Sequence, residues 1–154
     1  NSALRIGDIL SLRWEDVRRE SAYRRHIWVR EQKTGKDNMF PVNPMMVEAL
    51  EFYRHYLTGY SSEKYIFESQ KDRGNPISRS QAFRIIKKAA DQCGLREHIS
   101  CHSLRKTFGY YAWKQGTPPA LLMSIYNHSS YEITKRYLCI DQQEKDKVYM
   151  EIQL

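Results

Sequence analysis

The chain has 154 residues, of which 41% are hydrophobic, so it is long enough to form one compact domain with its own core. Lysine and arginine number 25 against 18 acidic residues, and the net charge of +7 favours a polyanionic partner: DNA, RNA or acidic lipid. The three cysteines, Cys93, Cys101 and Cys139, are odd in number and include no CxxC pair, which argues against a disulfide framework. We expect a cytoplasmic protein without a metal site, because no metal-ligand cluster, signal peptide or membrane-spanning apolar run is visible.

The first third of the chain is predicted to contain a helix and a β-hairpin. Residues 4–12 carry apolar side chains at helical spacing, and the charged residues 18–25 are predicted to form a solvated turn. Residues 26–32 alternate between apolar and polar side chains, as a half-buried strand does, and residues 39–42 are predicted to return as its partner. This hairpin places Lys33 at its tip.

The rest of the chain is predicted to be mostly helical. Capping residues and Pro or Gly punctuation mark most of the boundaries. The predicted helices cover 44–57, the segment from Ser78 to Gly94, 103–115, a short segment from Thr117, and a segment that begins near Ser129. Asn43 and Ser78 are predicted to cap the first two helices, and the apolar stripes of these helices are predicted to include Tyr56 and Cys93, respectively. The tail at 147–154 alternates apolar residues and is predicted to be either a strand or a frayed helix. The fold class is therefore mainly α with a small antiparallel β-sheet (α+β).

Six residues in five short segments are suited to chemistry on a phosphate. Arginine is permanently charged and can donate two hydrogen bonds to neighbouring oxygens, and histidine and lysine can carry protons. The candidate residues are Arg5, Lys33, His102 and Arg105 three residues apart, His128 in the turn NHSS, and Tyr137 nine residues later.

The order of these segments carries a specific resemblance. LRIGD, KTGK, HSLRKTF, NHSS and TKRY follow one another from residue 4 to about residue 140, which is nearly the whole chain. Each segment alone is common, but all five in this order are difficult to obtain by chance. The chain resembles the tyrosine recombinases, also called the phage integrase family, which cleave and rejoin DNA at specific sites.

The resemblance implies a phosphate clamp. Arg5 and Arg105 would bind the scissile phosphate, and His102 and His128 would donate hydrogen bonds to its oxygens, with His102 also handling a proton. Cationic groups suit this role because charge builds on the phosphate oxygens in the transition state.

The resemblance also implies the nucleophile and the acid. Tyr137 would attack phosphorus and form a 3′-phosphotyrosyl link, Lys33 would protonate the departing 5′ oxygen, and Asp8 would help to orient the site. A free phenol has a pKa of about 10, so neighbouring cations are needed to favour the phenolate. The reaction would need neither metal nor ATP, because the phosphotyrosyl ester conserves the bond until a 5′ hydroxyl attacks it.

Family members carry helices before the Arg5 motif and a separate DNA-gripping domain before those helices. We therefore expect residues 1–154 to be a catalytic domain truncated at its N-terminus, without core-binding and arm-binding domains. The expected partners are duplex DNA and further copies of the chain, as a tetramer on paired sites. The chain departs from the family where Tyr126-Asn127 replaces the usual Leu-Gly, and we expect the turn to survive because Asn tolerates a positive φ.

Other interpretations remain open at this point. Each of the six residues has a purely structural alternative, such as a solvated Arg5 or Lys33, or an Arg105 paired with Asp8 or Glu132. Tyr137 competes with ten other tyrosines and is chosen for its place in TKRY. For the whole chain, the alternatives are a type IB topoisomerase and a nucleic-acid-binding module without chemistry.

Overall fold

The structure is a computed structural model that describes residues 2–138, 140 and 142–152. The chain divides into two compact units, Asn1–His102 and Ser103–Leu154. The described residues form eight helices and two separate two-stranded antiparallel sheets. The fold is thus mainly α with small antiparallel sheets, which confirms the predicted class. In chain order the elements are α1 (Ile6–Leu10), α2 (Trp14–Val17), β1 (Arg18–Arg19), β2 (Ala22–Tyr23), β3 (His26–Arg30), β4 (Asp37–Pro41), α3 (Pro44–His55), α4 (Arg79–Gln92), α5 (Cys101–Lys114), α6 (Pro119–Ile125), α7 (Tyr131–Leu138) and α8 (Gln142–Glu151).

The predicted hairpin is formed by β3 and β4. Ile27 pairs with Phe40, and both are buried, whereas the next pair on the opposite face, Trp28 and Met39, is exposed. This alternation follows from the two-residue period of a strand with one face against a core. Lys33 lies in the turn between the two strands, as predicted.

The predicted solvated turn at 18–25 is present at Glu20 and Ser21, and it joins two short strands that were not predicted. The segment contains the small hairpin β1–β2, in which Arg18 pairs with Tyr23 and Arg19 with Ala22. Glu20 adopts φ +54 in the tight turn between them, and Tyr23 packs against the core. The charge pattern therefore predicts the turn but not the two short strands beside it, the second of which holds Tyr23 against the core.

The core of the first unit lies between the hairpin and α3. Its buried members come from several elements and are Leu4, Trp14, Val17, Ile27, Phe40 and Ile66. One face of α3 covers this cluster with Met46, Leu50 and Tyr53. The prediction that Tyr56 lies on the same buried face is wrong, because its side chain is exposed. Burial of such side chains is the main term that stabilises the unit.

The predicted helix caps at Asn43 and Ser78 are confirmed. The Asn43 side chain accepts a hydrogen bond from the Met46 backbone N–H at 2.9 Å, and Ser78 Oγ accepts from the Gln81 N–H at 3.1 Å. Each cap satisfies a backbone donor that has no partner inside the helix. Cys93, predicted to lie on the apolar stripe of α4, is instead its exposed C-cap.

The second unit is helical. α5 ends before Gly116, which adopts φ +90, and α6 begins at Pro119. The sequence leaves 147–154 open between a strand and a frayed helix, and residues 147–151 are helical as the end of α8. Cys139 lies outside the described residues. Among the described helices, none combines the length and the apolar character that crossing a bilayer demands.

Candidate active site

Arg5 is the N-cap residue of α1 and is oriented by a buried carboxylate. Its Nη1 atom donates to Glu31 Oε2, and the Glu31 side chain is fully buried whereas that of Arg5 is 21% exposed. The same carboxylate accepts hydrogen bonds from Thr34 Oγ1 at 2.7 Å and Asn38 Nδ2 at 3.2 Å. Arg5 is therefore held on one side and keeps other guanidinium N–H groups for a further acceptor.

The ionisation of Glu31 follows from these contacts. Burial by itself raises the pKa of Glu31, but hydrogen bonds from Thr34, Asn38 and Arg5 outweigh it and hold the pKa below its usual value of 4.5. The carboxylate is thus charged at neutral pH and forms an ion pair with Arg5.

Asp8 links α1 to the base of the hairpin loop. This buried side chain accepts a hydrogen bond from the Gln32 backbone N–H at 2.9 Å through Oδ1. The Gln32 side chain donates in turn to the Gly7 carbonyl at 3.3 Å and accepts from Arg79. The two residues that precede Lys33 are therefore both tied to the segment that carries Arg5.

Lys33 itself is exposed in the turn. Within the described part of the chain, no carboxylate forms an ion pair with its ammonium group. The loop thus has a hydrogen-bonded base and an exposed cation at its tip.

His102 and Arg105 both lie on α5, with the spacing of three that the sequence predicts. His102 is exposed and belongs to the first unit, and Arg105, only 4% exposed, belongs to the second. Burial of an arginine requires partners for its charge and its N–H groups.

Tyr126 provides several of the contacts of Arg105. Arg105 Nη2 donates to the Tyr126 carbonyl at 3.0 Å, and the Tyr126 hydroxyl donates back to the Arg105 carbonyl at 2.7 Å. The guanidinium carbon lies 4.6 Å from the centroid of the Tyr126 ring, within the range of a cation–π interaction. One hydrogen bond and one ring face therefore hold the Arg105 guanidinium, and the second hydrogen bond holds the Tyr126 side chain against the backbone of α5.

His128 and Tyr137 lie in the same cluster. Their ring centroids are 4.7 Å apart, and the Arg105 guanidinium carbon is 5.9 Å from the Tyr137 centroid. His128 Nδ1 is 3.0 Å from Oγ1 of Thr134, which is fully buried on α7 one turn before Tyr137. The structure thus brings three of the six candidate residues together within the second unit.

The turn before His128 survives the departure from Gly, as expected. Asn127 adopts φ +53, the left-handed conformation that Gly takes most readily and that Asn tolerates better than most residues. The turn redirects the chain after α6, and His128 then stacks on the Tyr126 ring with centroids 4.9 Å apart.

The candidate residues therefore fall into two groups, each described within its own unit. Arg5, Lys33 and His102 belong to the first, and Arg105, His128 and Tyr137 to the second. The convergence of the two groups on one phosphate, and the individual roles, stay predictions.

Comparisons with known proteins decide the family. The family model described as the phage integrase family matches residues 1–144, most of the chain. The chain belongs to the phage integrase family. A probable integrase/recombinase, YoeC of Bacillus subtilis, is 42% identical over 151 residues, which cover 97% of this chain and 77% of that protein. A tyrosine recombinase of Pseudothermotoga lettingae is 32% identical over 144 residues, or 92% of this chain and 47% of that protein.

Solved structures of integrase-family proteins share the fold. The crystal structure of XerA recombinase has a TM-score of 0.77 at 23% identity and covers 99% of this chain and 55% of its own. XerH bound to a palindromic difH substrate, a post-cleavage complex, has a TM-score of 0.68 at 18% identity over 97% of this chain and 42% of its own. The chain thus spans about half the length of several relatives. Membership of the integrase family also favours a recombinase over a topoisomerase.

Two further residues of this integrase-family chain were missed by the sequence reasoning. Glu31 continues the inward phase of β3 after Ile27 and Val29, so an acid there had to meet a cation inside the protein. Tyr126 follows Leu122 at helical spacing, so its burial could be expected. In the sequence it is visible only as a replacement for the leucine that the family usually has before the turn. A further signal was Gly109 in the middle of a helix, where glycine usually has a packing reason.

Proposed function

We propose that residues 1–154 act as the catalytic domain of a site-specific DNA recombinase that cleaves and rejoins DNA through Tyr137. The observation that supports this best is the cluster of Arg105, His128 and Tyr137, in which a cation and an imidazole lie beside a phenol. The family membership supports the same reaction. Duplex DNA is the proposed substrate.

The clamp of the proposed mechanism uses the two arginines. Arg5 and Arg105 bind non-bridging oxygens of the scissile phosphate and offset the charge that develops on them. His102 and His128 donate hydrogen bonds to the same oxygens. Since phosphoryl transfer requires mainly positioning and charge stabilisation, these four side chains can supply the needed catalysis without a metal ion.

In the covalent step, Tyr137 is the nucleophile and Lys33 is the general acid. The Tyr137 phenol loses its proton, with His102 as the acceptor, its oxygen bonds to phosphorus, and the bond from phosphorus to the 5′ oxygen breaks. Lys33 donates a proton to that 5′ oxygen, which leaves as a hydroxyl. The reverse step, with a 5′ hydroxyl from another strand, rejoins the DNA and regenerates the phenol without ATP.

The proposal includes an assembly and a location. Strand exchange needs two DNA sites, each cut on both strands, so we propose a homotetramer on paired sites in the cytoplasm. The substrate would be DNA of a mobile element that integrates or excises.

Covalent capture of DNA tests the proposal. The purified protein is incubated with fragmented DNA of its source organism, denatured in detergent, and separated on a gel that retains only covalent adducts. We expect an adduct in which the DNA is joined at its 3′ end to Tyr137, identified by peptide mass spectrometry. Sequencing the captured ends also gives the target sequence.

Matched phenylalanine variants make the test specific. Tyr137→Phe removes the nucleophile and should lower adduct formation by at least ~10³-fold. Tyr131→Phe, an exposed tyrosine on the same helix, should leave it unchanged. An adduct that persists in Tyr137→Phe would contradict the role of Tyr137 as the nucleophile. DNA binding without any adduct would contradict the proposal and indicate a nucleic-acid-binding module without chemistry.

A further inference from the structure

The Tyr126 side chain touches each of the three candidate catalytic residues of the second unit. Its hydroxyl donates to the Arg105 backbone carbonyl and its ring lies under the Arg105 guanidinium. The same ring stacks on the His128 ring and lies 5.1 Å from the Tyr137 ring, centroid to centroid. It is fully buried at the C-cap of α6, which leaves its own hydroxyl inaccessible to DNA.

The Tyr126 hydroxyl stays protonated and keeps donating to the Arg105 carbonyl. Burial raises the pKa of Tyr126 to about 12, although the Arg105 guanidinium and a hydrogen bond from the Gly109 backbone oppose this rise. The neighbouring side chains of Tyr126 and Tyr137 therefore differ in exposure. Tyr126 is a buried donor, and Tyr137 is half-buried, with part of its surface open to solvent.

Gly109 makes the space that the Tyr126 ring occupies. A Cβ at this position would lie 2.3 Å from the Tyr126 hydroxyl oxygen and 3.0 Å from two of its ring carbons. The hydroxyl cannot move away at low cost, because it is hydrogen-bonded to Arg105 in a buried site. Glycine in a helix interior costs about 1 kcal/mol relative to alanine, so its presence in α5 needs such a compensating reason.

We propose that Tyr126 is a positioning residue that holds Arg105, His128 and Tyr137 in their reactive arrangement, and that Gly109 is its obligatory complement. The proposal rests on the proposed recombinase function and extends it to a residue pair. In this pair, the larger side chain at 126 makes contacts with Arg105, His128 and Tyr137 that a leucine, with no ring or hydroxyl, cannot make.

Tyr126 can act in this way because Arg105 and His128 each need a defined orientation. A guanidinium must present its N–H groups at a defined angle, and an imidazole must aim one nitrogen. The ring face of Tyr126, 4.6 Å from the guanidinium carbon, constrains the first angle, and stacking at an interplanar angle of 14° constrains the second. A misplacement of about 1 Å at such a site can cost roughly 100-fold in rate.

The first arm of the test is structural and needs no DNA. The ring protons of His128, observed by NMR, should be shifted upfield because they lie over the face of the Tyr126 ring. Tyr126→Phe should retain this shift and Tyr126→Leu should lose it. Equal shifts in the leucine variant and the unaltered protein would overturn the arrangement.

The second arm measures chemistry apart from binding. With saturating captured target DNA in a single turnover, Tyr126→Leu should form the Tyr137 adduct roughly 10- to 100-fold more slowly, with an unchanged Kd for DNA. Tyr111→Leu, an exposed tyrosine on α5, is the matched control and should keep the full rate. A normal rate in Tyr126→Leu would reduce Tyr126 to a core filler and contradict the proposal.

The third arm tests whether the effects of substitutions at Gly109 and Tyr126 are coupled. Gly109→Ala alone should slow adduct formation and lower the melting temperature, against the gain that alanine normally brings to a helix. In the Tyr126→Leu background the same change should be neutral or stabilising, because the clashing hydroxyl is gone. Equal effects of Gly109→Ala in both backgrounds would refute the coupling.

The arms separate this proposal from the proposed function. If the unaltered protein forms no adduct, the recombinase assignment fails, while the NMR shift and the melting temperatures still decide the Tyr126–Gly109 pair. If the adduct forms and depends on Tyr137, the rates decide whether Tyr126 positions the reacting groups.

Discussion

The two candidate clamp arginines differ in the orienting contacts that the structure describes. Arg5 is oriented by an ion pair with the buried Glu31, whereas the Tyr126 contacts of Arg105 are a carbonyl and an aromatic face. A buried carboxylate orients a guanidinium strongly but also offsets part of its charge. We therefore expect Arg5 to act on a phosphate largely through its geometry, and Arg105 to depend on the position that Tyr126 gives it.

Replacement of each arginine by lysine should give the largest difference in adduct formation between the two positions. Arg105→Lys loses the planar fork that bonds to Tyr126 and should reduce adduct formation by roughly 10²- to 10³-fold. Arg5→Lys can keep an ion pair with Glu31 and should reduce it by roughly 10-fold. Single-turnover adduct kinetics with the captured DNA measure both rates, and a larger loss in Arg5→Lys would reverse the comparison.

Neutralising Glu31 should show how much the first unit depends on its ion pair. Glu31→Gln leaves Arg5 without its buried counter-charge and is expected to lower the free energy of unfolding by about 2 kcal/mol at pH 7. Because the pKa of Glu31 is depressed in the folded protein, its stabilisation is present above pH 4.5 and is lost as the pH falls through the folded value. Urea unfolding of both proteins should show a difference that is constant near neutral pH and shrinks below pH 4.5.

Glu48→Gln is the matched control for that experiment, since Glu48 is exposed on α3. It should unfold like the unaltered protein at every pH. If Glu31→Gln does the same, the buried ion pair contributes nothing to stability.

The smallest effects are expected at the turn that leads to His128. Asn127→Gly should cost less in free energy of unfolding than Asn127→Val, because glycine adopts φ +53 without strain. Asn127→Val should cost about 1–2 kcal/mol, since a β-branched residue is strained in the left-handed region. Thermal unfolding measures both, and an equal cost for glycine and valine would show that the Asn127 side chain, rather than its backbone, supports the turn.

Local patterns predicted most of the secondary structure correctly. The caps at Asn43 and Ser78 and the alternation in β3 depend on neighbours within a few residues, so sequence alone reveals them. The same logic predicted the turn at 18–25 but not its short strands, because Tyr23 packs against a core that is assembled from distant segments. It also placed Tyr56 and Cys93 on buried faces that the packing leaves exposed.

The sequence by itself determined the family, the mainly helical class and six candidate catalytic residues, because motif order and periodicity are properties of the linear chain. Only the tertiary structure decided which side chains hold those residues in place. Glu31 lies 26 positions from Arg5, and Tyr126 lies 21 from Arg105, so no local pattern connects either pair. Their contacts exist because burial removes water, and each buried charge or polar group must then find its partner within the fold.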